Sequence, residues 1–370
     1  MRTPNAECRV PNARSRAAIP ESAVRGSRKP ISSVFVCVHL WLFLFLVAAT
    51  ASAKEVVPSF LGSLTVSNPL THANLTIFPL TGQSFAGFSF LSLDKAISRG
   101  YLEVQEKDDG EVNTVRVQNT SDQYVFGLAG EIITGAKQNR MLERDVLLPP
   151  KSGWLDLSVY CVEHGRWHGA SMEFGSKGQV AAGRVRAKAA ATKSQAEVWD
   201  EVGASTAELG VASGSGRFDA VFDDEEVQAD IKKYKSALEA EVLKLGPSVL
   251  GVAVAVGDRL VCVDVFGANA LFTKMWPRLL ESYVVDAISR TPSDSLSKKD
   301  ISQVLSDAAR AKLVLQPTVG SGQLMRIEVD DASGQVLVYN EYVVHLDLFP
   351  EEEADSTPLR LDIRRGGVQE

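Results

Sequence analysis

Residues 249–266 read VLGVAVAVGDRLVCVDVF and contain two successive apolar segments. The first segment, Val249–Val256, carries no charged side chain, which is typical of a strand with both faces buried. Gly257 and Asp258 form a turn signal, and Leu260–Phe266 continues as a second apolar strand. The stretch therefore predicts two successive strands, of which the first is buried on both faces.

Helical patterns lie on both sides of this strand pair. Asp223–Leu245 has apolar residues at spacings of three and four, which predicts an amphipathic helix. Ala270–Ile288 shows a similar stripe, in which Pro277 is expected to kink or divide the helix. Two further helices are predicted over Arg184–Leu209 and 296–310.

Shorter strand patterns fill the first third of the chain and return near its end. They cover Leu75–Leu80, Tyr101–Glu106, Val112–Gln118, Tyr124–Leu128, Asp145–Leu148, Trp154–Val162, Leu324–Val329 and Gln335–Leu348. This order predicts an α+β fold, in which a β-rich N-terminal half packs with helices and a mixed C-terminal α/β region. We expect a single domain over residues 54–350 and a charged, flexible tail over residues 351–370.

The N-terminus carries the pattern of an export signal. Residues 34–49 form an apolar run, which is shorter than the roughly 20 residues that a membrane span needs. Basic residues precede the run, and Ala51-Ser52-Ala53 follows it as a cleavage site of the A-x-A type. We predict that residues 1–53 are a signal peptide and that the mature chain is exported, periplasmic or extracellular, without a membrane span. An uncleaved signal anchor is the alternative interpretation.

Composition and charge argue against a nucleic-acid partner. The 370 residues are 45% apolar and 23% charged, as in ordinary globular proteins. The predicted signal peptide holds seven basic and two acidic side chains, so its removal takes the formal net charge from −7 to −12. Because an acidic surface repels phosphate backbones, we expect no nucleic acid to bind.

Common catalytic and cofactor motifs are absent from the sequence. It contains no G-x-S-x-G, no H-E-x-x-H, no paired C-x-x-C and no glycine motif for a dinucleotide after a strand. The sequence therefore predicts no cofactor.

Two short segments concentrate polar, charged and small residues directly after predicted strands, over Gly130–Arg140 and Cys161–His168. In the second segment, Glu163 and Arg166 suit a bidentate ion pair, either with each other or with a ligand. Trp167 beside them offers a flat face for stacking or for a cation.

The second segment also has atoms that could bind a metal ion or act as a nucleophile. They belong to Cys161, Glu163, His164 and His168. The two histidines meet only on a helix, which Gly165 and the preceding strand disfavour, so we predict no metal. Cys161 with His164 as its base would be a thiol nucleophile, but the sequence shows no third group to orient them.

Some residues inside the strand patterns admit two interpretations. Cys161 and Cys262 could form a disulfide in an oxidising compartment, or they could be separate buried thiols. Asp264 alternates with valines, and we favour a position on the solvated side of its strand or at a turn over a buried functional carboxylate. His345 is interpreted as a hydrogen-bonded strand residue.

The polar segments and their spacing resemble a known family. The features are V-x-N-x-S/T from Val117, A-G-E ending at Glu131, G-x-K-Q-x-R ending at Arg140, and C-V-E-x-G-R-W over Cys161–Trp167. In this order they resemble the ARG and rhodanese-phosphatase-superfamily-associated protein domain family, and the resemblance covers roughly residues 65–348. It extends to Gln195 with Val198-Trp199, the strand Val263–Phe266 and the closing Val344-His345-Leu346.

The resemblance implies a fold and domain bounds, but no settled activity, because the family was named from its gene neighbours. It directs attention to one set of residues as a ligand-binding cluster: Glu131, Gln138, Arg140, Glu163, Arg166 and Trp167. This sequence departs from many relatives by its export signal, which argues against the cytosolic nucleotide or redox role that the family name suggests.

Our leading functional hypothesis is an exported, non-catalytic ligand-binding or sensory domain. Arg140 and Arg166 would bind an anionic group, and Trp167 would stack on the ligand. Glu131 and Glu163 would orient the two arginines. The alternatives are a hydrolase with Glu163 as general base, and a structural or interaction protein in which arginine–glutamate pairs pin loops. The partner is accordingly a small molecule or another protein.

Overall fold

The apolar stretch 249–266 forms an antiparallel strand pair, Val249–Val256 (β13) and Arg259–Phe266 (β14). Every residue of β13 is buried, as the sequence predicts. Side chains alternate between two apolar clusters along β13, because successive residues of a strand point to opposite faces. Val252 and Val254 belong to one cluster, and Ala253 and Ala255 belong to the other.

The computed structural model describes residues 53–87, 89–108, 110–167, 171–288, 290 and 296–350. These residues fall within one compact unit and combine helices with three β-sheets, which confirms the predicted α+β fold. Residues 1–52 of the predicted signal peptide, the predicted tail 351–370 and His168 lie outside the described residues.

The helices and strands have the following bounds. The helices are α1 (53–63), α2 (Leu93–Ser98), α3 (Gly183–Ala191), α4 (Gln195–Glu208), α5 (Glu225–Leu243), α6 (Asn269–Ile288) and α7 (Lys298–Arg310), with a 3₁₀ helix at Phe218–Asp223. The strands before β13 are β1 (Thr65–Val66), β2 (Leu70–His72), β3 (Leu75–Thr81), β4 (Phe90–Ser92), β5 (Leu102–Glu106), β6 (Thr114–Asn119), β7 (Tyr124–Gly127), β8 (Ile132–Gly135), β9 (Arg140–Leu142), β10 (Val146–Leu148), β11 (Leu155–Cys161) and β12 (Phe174–Gly175). The strands after β14 are β15 (Lys312–Gln316), β16 (Gln323–Val329), β17 (Ala332–Tyr339) and β18 (Tyr342–Pro350).

The largest sheet joins the two ends of the described chain. Its order is β1-β3-β13-β14-β18-β17-β16-β15, with β2 paired to the side of β3, and all its pairs are antiparallel. Helix α6 packs on one face with α5 behind it, and α7 contacts β1 and β16. The apolar run of β13 is therefore covered on both faces.

Two smaller sheets hold the middle of the chain. The six-stranded sheet has the order β12-β8-β9-β11-β6-β5, and the three-stranded sheet has the order β10-β7-β4, in which β4 and β7 are parallel. Strands β9 and β11 lie side by side, with Arg140 opposite Cys161. This pairing brings the two polar segments of the sequence next to each other.

The structure differs from the sequence predictions at several elements. The single helix predicted over Arg184–Leu209 is two helices, because the chain becomes extended at Thr192 and Ser194 caps α4 through the Glu197 amide. The strand predicted over Gln335–Leu348 is a hairpin of β17 and β18, which turns at Asn340 and Glu341 with φ of 49° and 64°. Pro277 lies within α6 and does not divide it.

Asp264 is fully buried, so the favoured solvated position was wrong and the alternative of a buried carboxylate holds. Among the described residues, no helix combines the length and the apolar content that a bilayer span requires.

Candidate functional site

The paired strands β9 and β11 position a polar cluster at the edge where the two predicted segments meet. Residues 135–140 lead into β9, and residues 161–167 continue from β11. Two backbone bonds fix the crossing, because Val162 donates to the Asn139 carbonyl and Phe218 donates to the Val162 carbonyl. We call this the clamp site, formed by Gly135–Arg140, Cys161–Trp167 and Ser215.

Glu163 and Arg166 form a bidentate ion pair within the clamp site. Arg166 Nε donates to Glu163 Oε1 at 2.9 Å, and Arg166 Nη2 donates to Oε2 at 2.7 Å. Ser215 Oγ donates to Oε1 at 2.6 Å, and the Asn139 amide donates to Oε2 at 2.9 Å. Each carboxylate oxygen of Glu163 therefore accepts two hydrogen bonds.

Arg166 also binds the loop that precedes β9. Its Nη1 donates to the Ala136 carbonyl at 2.7 Å, and its Nη2 contacts the Gly135 carbonyl and Asn139 Oδ1, each at 3.2 Å. Gly135 has φ of 122°, and a Cβ there would lie 2.9 Å from the Glu173 carbonyl oxygen. The Glu163–Arg166 pair thus fastens two loops that are distant in sequence.

The surroundings of Glu163 keep its carboxyl group ionised. Burial alone would raise its pKa, but the hydrogen bonds from Arg166 and Ser215 hold the pKa below its ordinary value of 4.5. A general base at neutral pH needs a pKa closer to 7 and an accessible lone pair. Glu163 is therefore better suited to hold Arg166 in place than to remove a proton.

We expect Glu163→Gln to lower the free energy of unfolding by about 2 kcal/mol at pH 7, because charged hydrogen bonds are worth about 1.5–3 kcal/mol and Arg166 is partly solvated. The lowered pKa means that this stability is present above pH 4.5 and is lost as the pH falls. Urea unfolding at pH 7 and below pH 4 should therefore show a difference that shrinks in acid. Glu111→Gln, which removes the partner of Lys107 at a solvated pair, is the control and should leave the free energy of unfolding almost unchanged. Equal losses in both variants would contradict the clamp.

Beneath the clamp, Arg140 is fully buried, although arginine is seldom buried without full pairing. Its Nη1 donates to the carbonyl and Oε1 of Gln138 at 3.2 and 3.3 Å, and contacts Cys161 Sγ at 3.4 Å. Its Nη2 lies 3.7 Å from Oε1 of the buried Glu106. Among the described residues, Nε and Nη2 of Arg140 and Oε2 of Glu106 have no hydrogen-bond partner.

Trp167 covers this buried arginine from the solvent side. Its side chain is 42% exposed, with Arg140 Cζ 5.8 Å and Lys137 Nζ 5.3 Å from the ring centroid. Both distances lie within the range of a cation–π contact. The exposed ring and the two cations form the outer wall of the clamp site.

Of the two interpretations of Cys161 and Cys262, the structure bears out separate thiols, because both cysteines are buried and free. Cys161 Sγ lies 3.0 Å from Gln138 Oε1 and from the Glu163 carbonyl, whereas Cys262 Sγ contacts Asp264. Burial raises the pKa of the Cys161 thiol, which makes the thiolate needed for nucleophilic attack scarce at neutral pH. His164 instead packs edge-on against Trp199, with ring centroids 4.5 Å apart.

Of the six residues proposed from the sequence, five meet in the clamp site, and Glu131 lies apart from them. Its Oε1 accepts from Arg278 Nη1 of α6 at 2.6 Å, and its Oε2 accepts from the Leu128 amide at 2.8 Å. Burial raises the pKa of Glu131 to about 7, against the charge of Arg278. Arg278 also pairs with Asp94, so Glu131 belongs to the contact between α2 and α6.

A comparison with models of protein families shows to which family this chain belongs. The family model of the ARG and Rhodanese-Phosphatase-superfamily-associated Protein domain, ARPP-1, matches residues 63–349, which is most of the chain. The chain belongs to the ARPP-1 family. Searches of curated proteins and of solved structures found no match to it.

The ARPP-1 domain also contains a buried polar network that the sequence analysis did not assemble. Arg186 of α3 forms a bidentate pair with Asp264 of β14, at 2.6 and 2.8 Å, and Tyr283 of α6 donates to the same carboxylate at 2.5 Å. The charge of Arg186, opposing burial, holds the pKa of Asp264 well below its usual range. His345 of β18 lies against Asp264 as well, with Nε2 3.2 Å from Oδ1.

The sequence analysis named only Asp264 and His345 of this network and missed Arg186, Tyr283, Asp145 and Asp347. Asp347 stands two residues after His345, which is the spacing of side chains on one face of a strand, so a signal was available. Asp145 precedes β10 in another sheet, and no local pattern connects it with His345.

Proposed function

We propose that this ARPP-1 domain is an exported, non-catalytic binding domain that takes a small anionic ligand at the clamp site. The apolar run 34–49 and the Ala51-Ser52-Ala53 pattern support export. Arg140 with its neighbours supports an anionic ligand, and the exposed ring of Trp167 supports a ligand with a flat part.

One observation carries the proposal: the buried Arg140 guanidinium has two nitrogens without a hydrogen-bond partner among the described residues. A buried donor without a partner costs about 1–3 kcal/mol, and more when the group is charged. An anionic group next to these nitrogens would remove that cost. Such a group would also lie close to an aromatic face, because Arg140 Cζ is 5.8 Å from the centroid of the Trp167 ring.

Two cationic groups lie next to the ring of Trp167. Lys137 Nζ and Arg140 Cζ are 5.3 and 5.8 Å from the ring centroid. Their positions support an anionic rather than a cationic ligand on this side of the clamp site.

The catalytic alternative has less support at this site. Glu163 has a lowered pKa and all its hydrogen-bond positions are used, and the Cys161 thiol has a raised pKa. The structural alternative is supported by the Glu163–Arg166 clamp itself. It does not account for the exposed ring of Trp167 above Arg140, two of whose nitrogens have no hydrogen-bond partner in the described part of the chain.

Phenyl phosphate, which joins one aromatic ring to one anionic group, is a suitable probe. We expect it to bind the full chain more tightly than inorganic phosphate in calorimetric titrations, because the ring adds stacking on Trp167. Trp167→Ala is expected to weaken phenyl phosphate binding about tenfold, which corresponds to about 1.4 kcal/mol.

Trp154→Ala is the matched control. Trp154 is 38% exposed and also lies under a cation, since Arg116 Cζ is 5.1 Å from its ring centroid, but it is not part of the clamp site. This variant should bind phenyl phosphate like the unmodified chain. Absent binding, or equal effects of the two substitutions, would contradict the proposed function.

A further inference from the structure

Three side chains of metal-ligating type converge inside the buried network. Asp145, His345 and Asp347 each offer one ligand atom, and these atoms all lie within 4.8 Å of one another. All three residues are buried. Because Asp145 precedes β10 and the other two lie on β18, two different sheets supply the set.

His345 has the orientation of a metal-ligating histidine. Its Nδ1 lies 2.7 Å from Asp145 Oδ2, on the side of the converging carboxylates, and its Nε2 lies 3.2 Å from Asp264 Oδ1. A histidine that binds a metal through one nitrogen usually donates the other N–H to a carboxylate, which fixes the tautomer and the ring. Asp264 is itself held by Arg186 and Tyr283, so this outer support is already in place.

The two other carboxylates are fixed by N–H donors. Asp145 Oδ1 accepts from the Ala129 amide at 2.9 Å. Asp347 accepts from Gln335 twice, from the backbone amide at 3.0 Å and from Nε2 at 3.1 Å. A carboxylate has about four lone-pair positions, so each aspartate retains lone pairs for a cation.

The charges of the network leave a negative excess. Asp145, Asp264 and Asp347 face one guanidinium, that of Arg186, which forms its two short bonds with Asp264 and lies 3.8 Å from Asp347 Oδ2. Against the effect of burial, the charges of Asp145 and Asp264 raise the pKa of His345 to about 10, so without a metal its ring supplies a second positive charge. The three carboxylates still exceed the two cations by one charge, and a divalent cation in place of the imidazole proton would balance it.

We propose that Asp145, His345 and Asp347 bind one divalent transition-metal ion of the zinc type, through His345 Nδ1 and one oxygen of each aspartate. One imidazole with two carboxylates is a donor set that Zn²⁺ accepts, and three protein ligands leave a position for water. A cavity of about 130 Å³ lies beside Asp145 and is also lined by Arg144 and Ser158. The site is separate from the clamp site and departs from the sequence prediction that no metal binds.

The test uses the full chain without a polyhistidine tag, stripped with EDTA and titrated with ZnCl₂ in a calorimeter. We expect one Zn²⁺ to bind per chain. Asp347→Asn keeps the size of the side chain but removes its charge, and it should weaken zinc binding by more than about a hundredfold. His164→Ala is the control, because His164 is an exposed histidine that packs against Trp199 and is not one of the three proposed ligands.

X-ray absorption at the zinc edge of the unmodified protein keeps the proposal testable if Asp347→Asn does not fold. We expect only nitrogen and oxygen neighbours at about 2.0–2.2 Å, with the signature of one imidazole. A sulfur neighbour at about 2.3 Å would place the metal at a cysteine and overturn the proposal. Absence of stoichiometric zinc binding, loss of binding in His164→Ala, or unchanged binding in folded Asp347→Asn would overturn it as well.

Discussion

Asp264→Asn is expected to lower the free energy of unfolding by about 3–5 kcal/mol, because it leaves the buried Arg186 guanidinium without its main counter-charge. Both side chains are almost completely inaccessible, and both bonds of the pair are shorter than 3 Å. The neutral amide of the variant is also a weaker hydrogen-bond acceptor for the Tyr283 hydroxyl than the carboxylate is. Urea unfolding in the presence of EDTA measures the loss without any contribution from bound metal.

Two controls separate the buried charge from the loss of side-chain packing. Asp307→Asn removes the partner of Arg310 at an exposed pair, and it should cost less than about 0.5 kcal/mol. The double variant Arg186→Met with Asp264→Leu replaces the pair by apolar side chains, and we expect it to recover most of the stability lost in Asp264→Asn. A loss below about 0.5 kcal/mol in Asp264→Asn would show that Arg186 does not depend on this carboxylate.

Gly334→Ala is expected to destabilise the protein by about 3 kcal/mol, at the upper end of typical overpacking costs. Gly334 lies on β17 opposite Leu348 of β18, and a Cβ there would stand 2.0 Å from the carbonyl oxygen of Asp347. The neighbouring atoms are backbone, so the two strands must move apart to admit a methyl group. Differential scanning calorimetry should show a lower melting temperature.

Gly203→Ala is the matched substitution at a position with space. Gly203 lies within α4, and a Cβ there would meet nothing within 4 Å. Alanine is favoured over glycine in a helix interior by about 0.8–1 kcal/mol, so this variant should be as stable as the unmodified chain or more so. A melting temperature for Gly334→Ala equal to that of Gly203→Ala would show that β17 and β18 are not packed as described.

The fold could be predicted from the sequence where apolar residues recur at a regular spacing along a long segment. Helix α5 and strand β13 were predicted within two residues of their bounds, because their apolar residues follow one period throughout. Strands β1, β4 and β12 have only two or three residues, which is too short for any period. The pairing of these short strands depends on the neighbouring strand, and it cannot be predicted from the residues of the short strand alone.

The candidate site could be predicted where strand order brings segments together. Gln138–Arg140 and Cys161–Arg166 each adjoin the end of a strand, and those strands are neighbours. Glu131 could not be placed, because its partner Arg278 is 147 positions away and sits on a helix. The contact of Asp145 with His345 could not be predicted for the same reason, because the two residues are 200 positions apart.

The pairing of β3 with β13 has a consequence for the order in which the chain acquires its structure. Leu75 faces Val256, about 180 positions later, so the centre of the largest sheet joins the two halves of the polypeptide. Closing so long a loop costs conformational entropy before the contacts between the two strands offset that cost. Folding is slower as a result. During synthesis, β3 emerges from the ribosome well before its partner exists. The unpaired backbone N–H and C=O groups of β3 and its apolar side chains then need protection from other chains until β13 arrives.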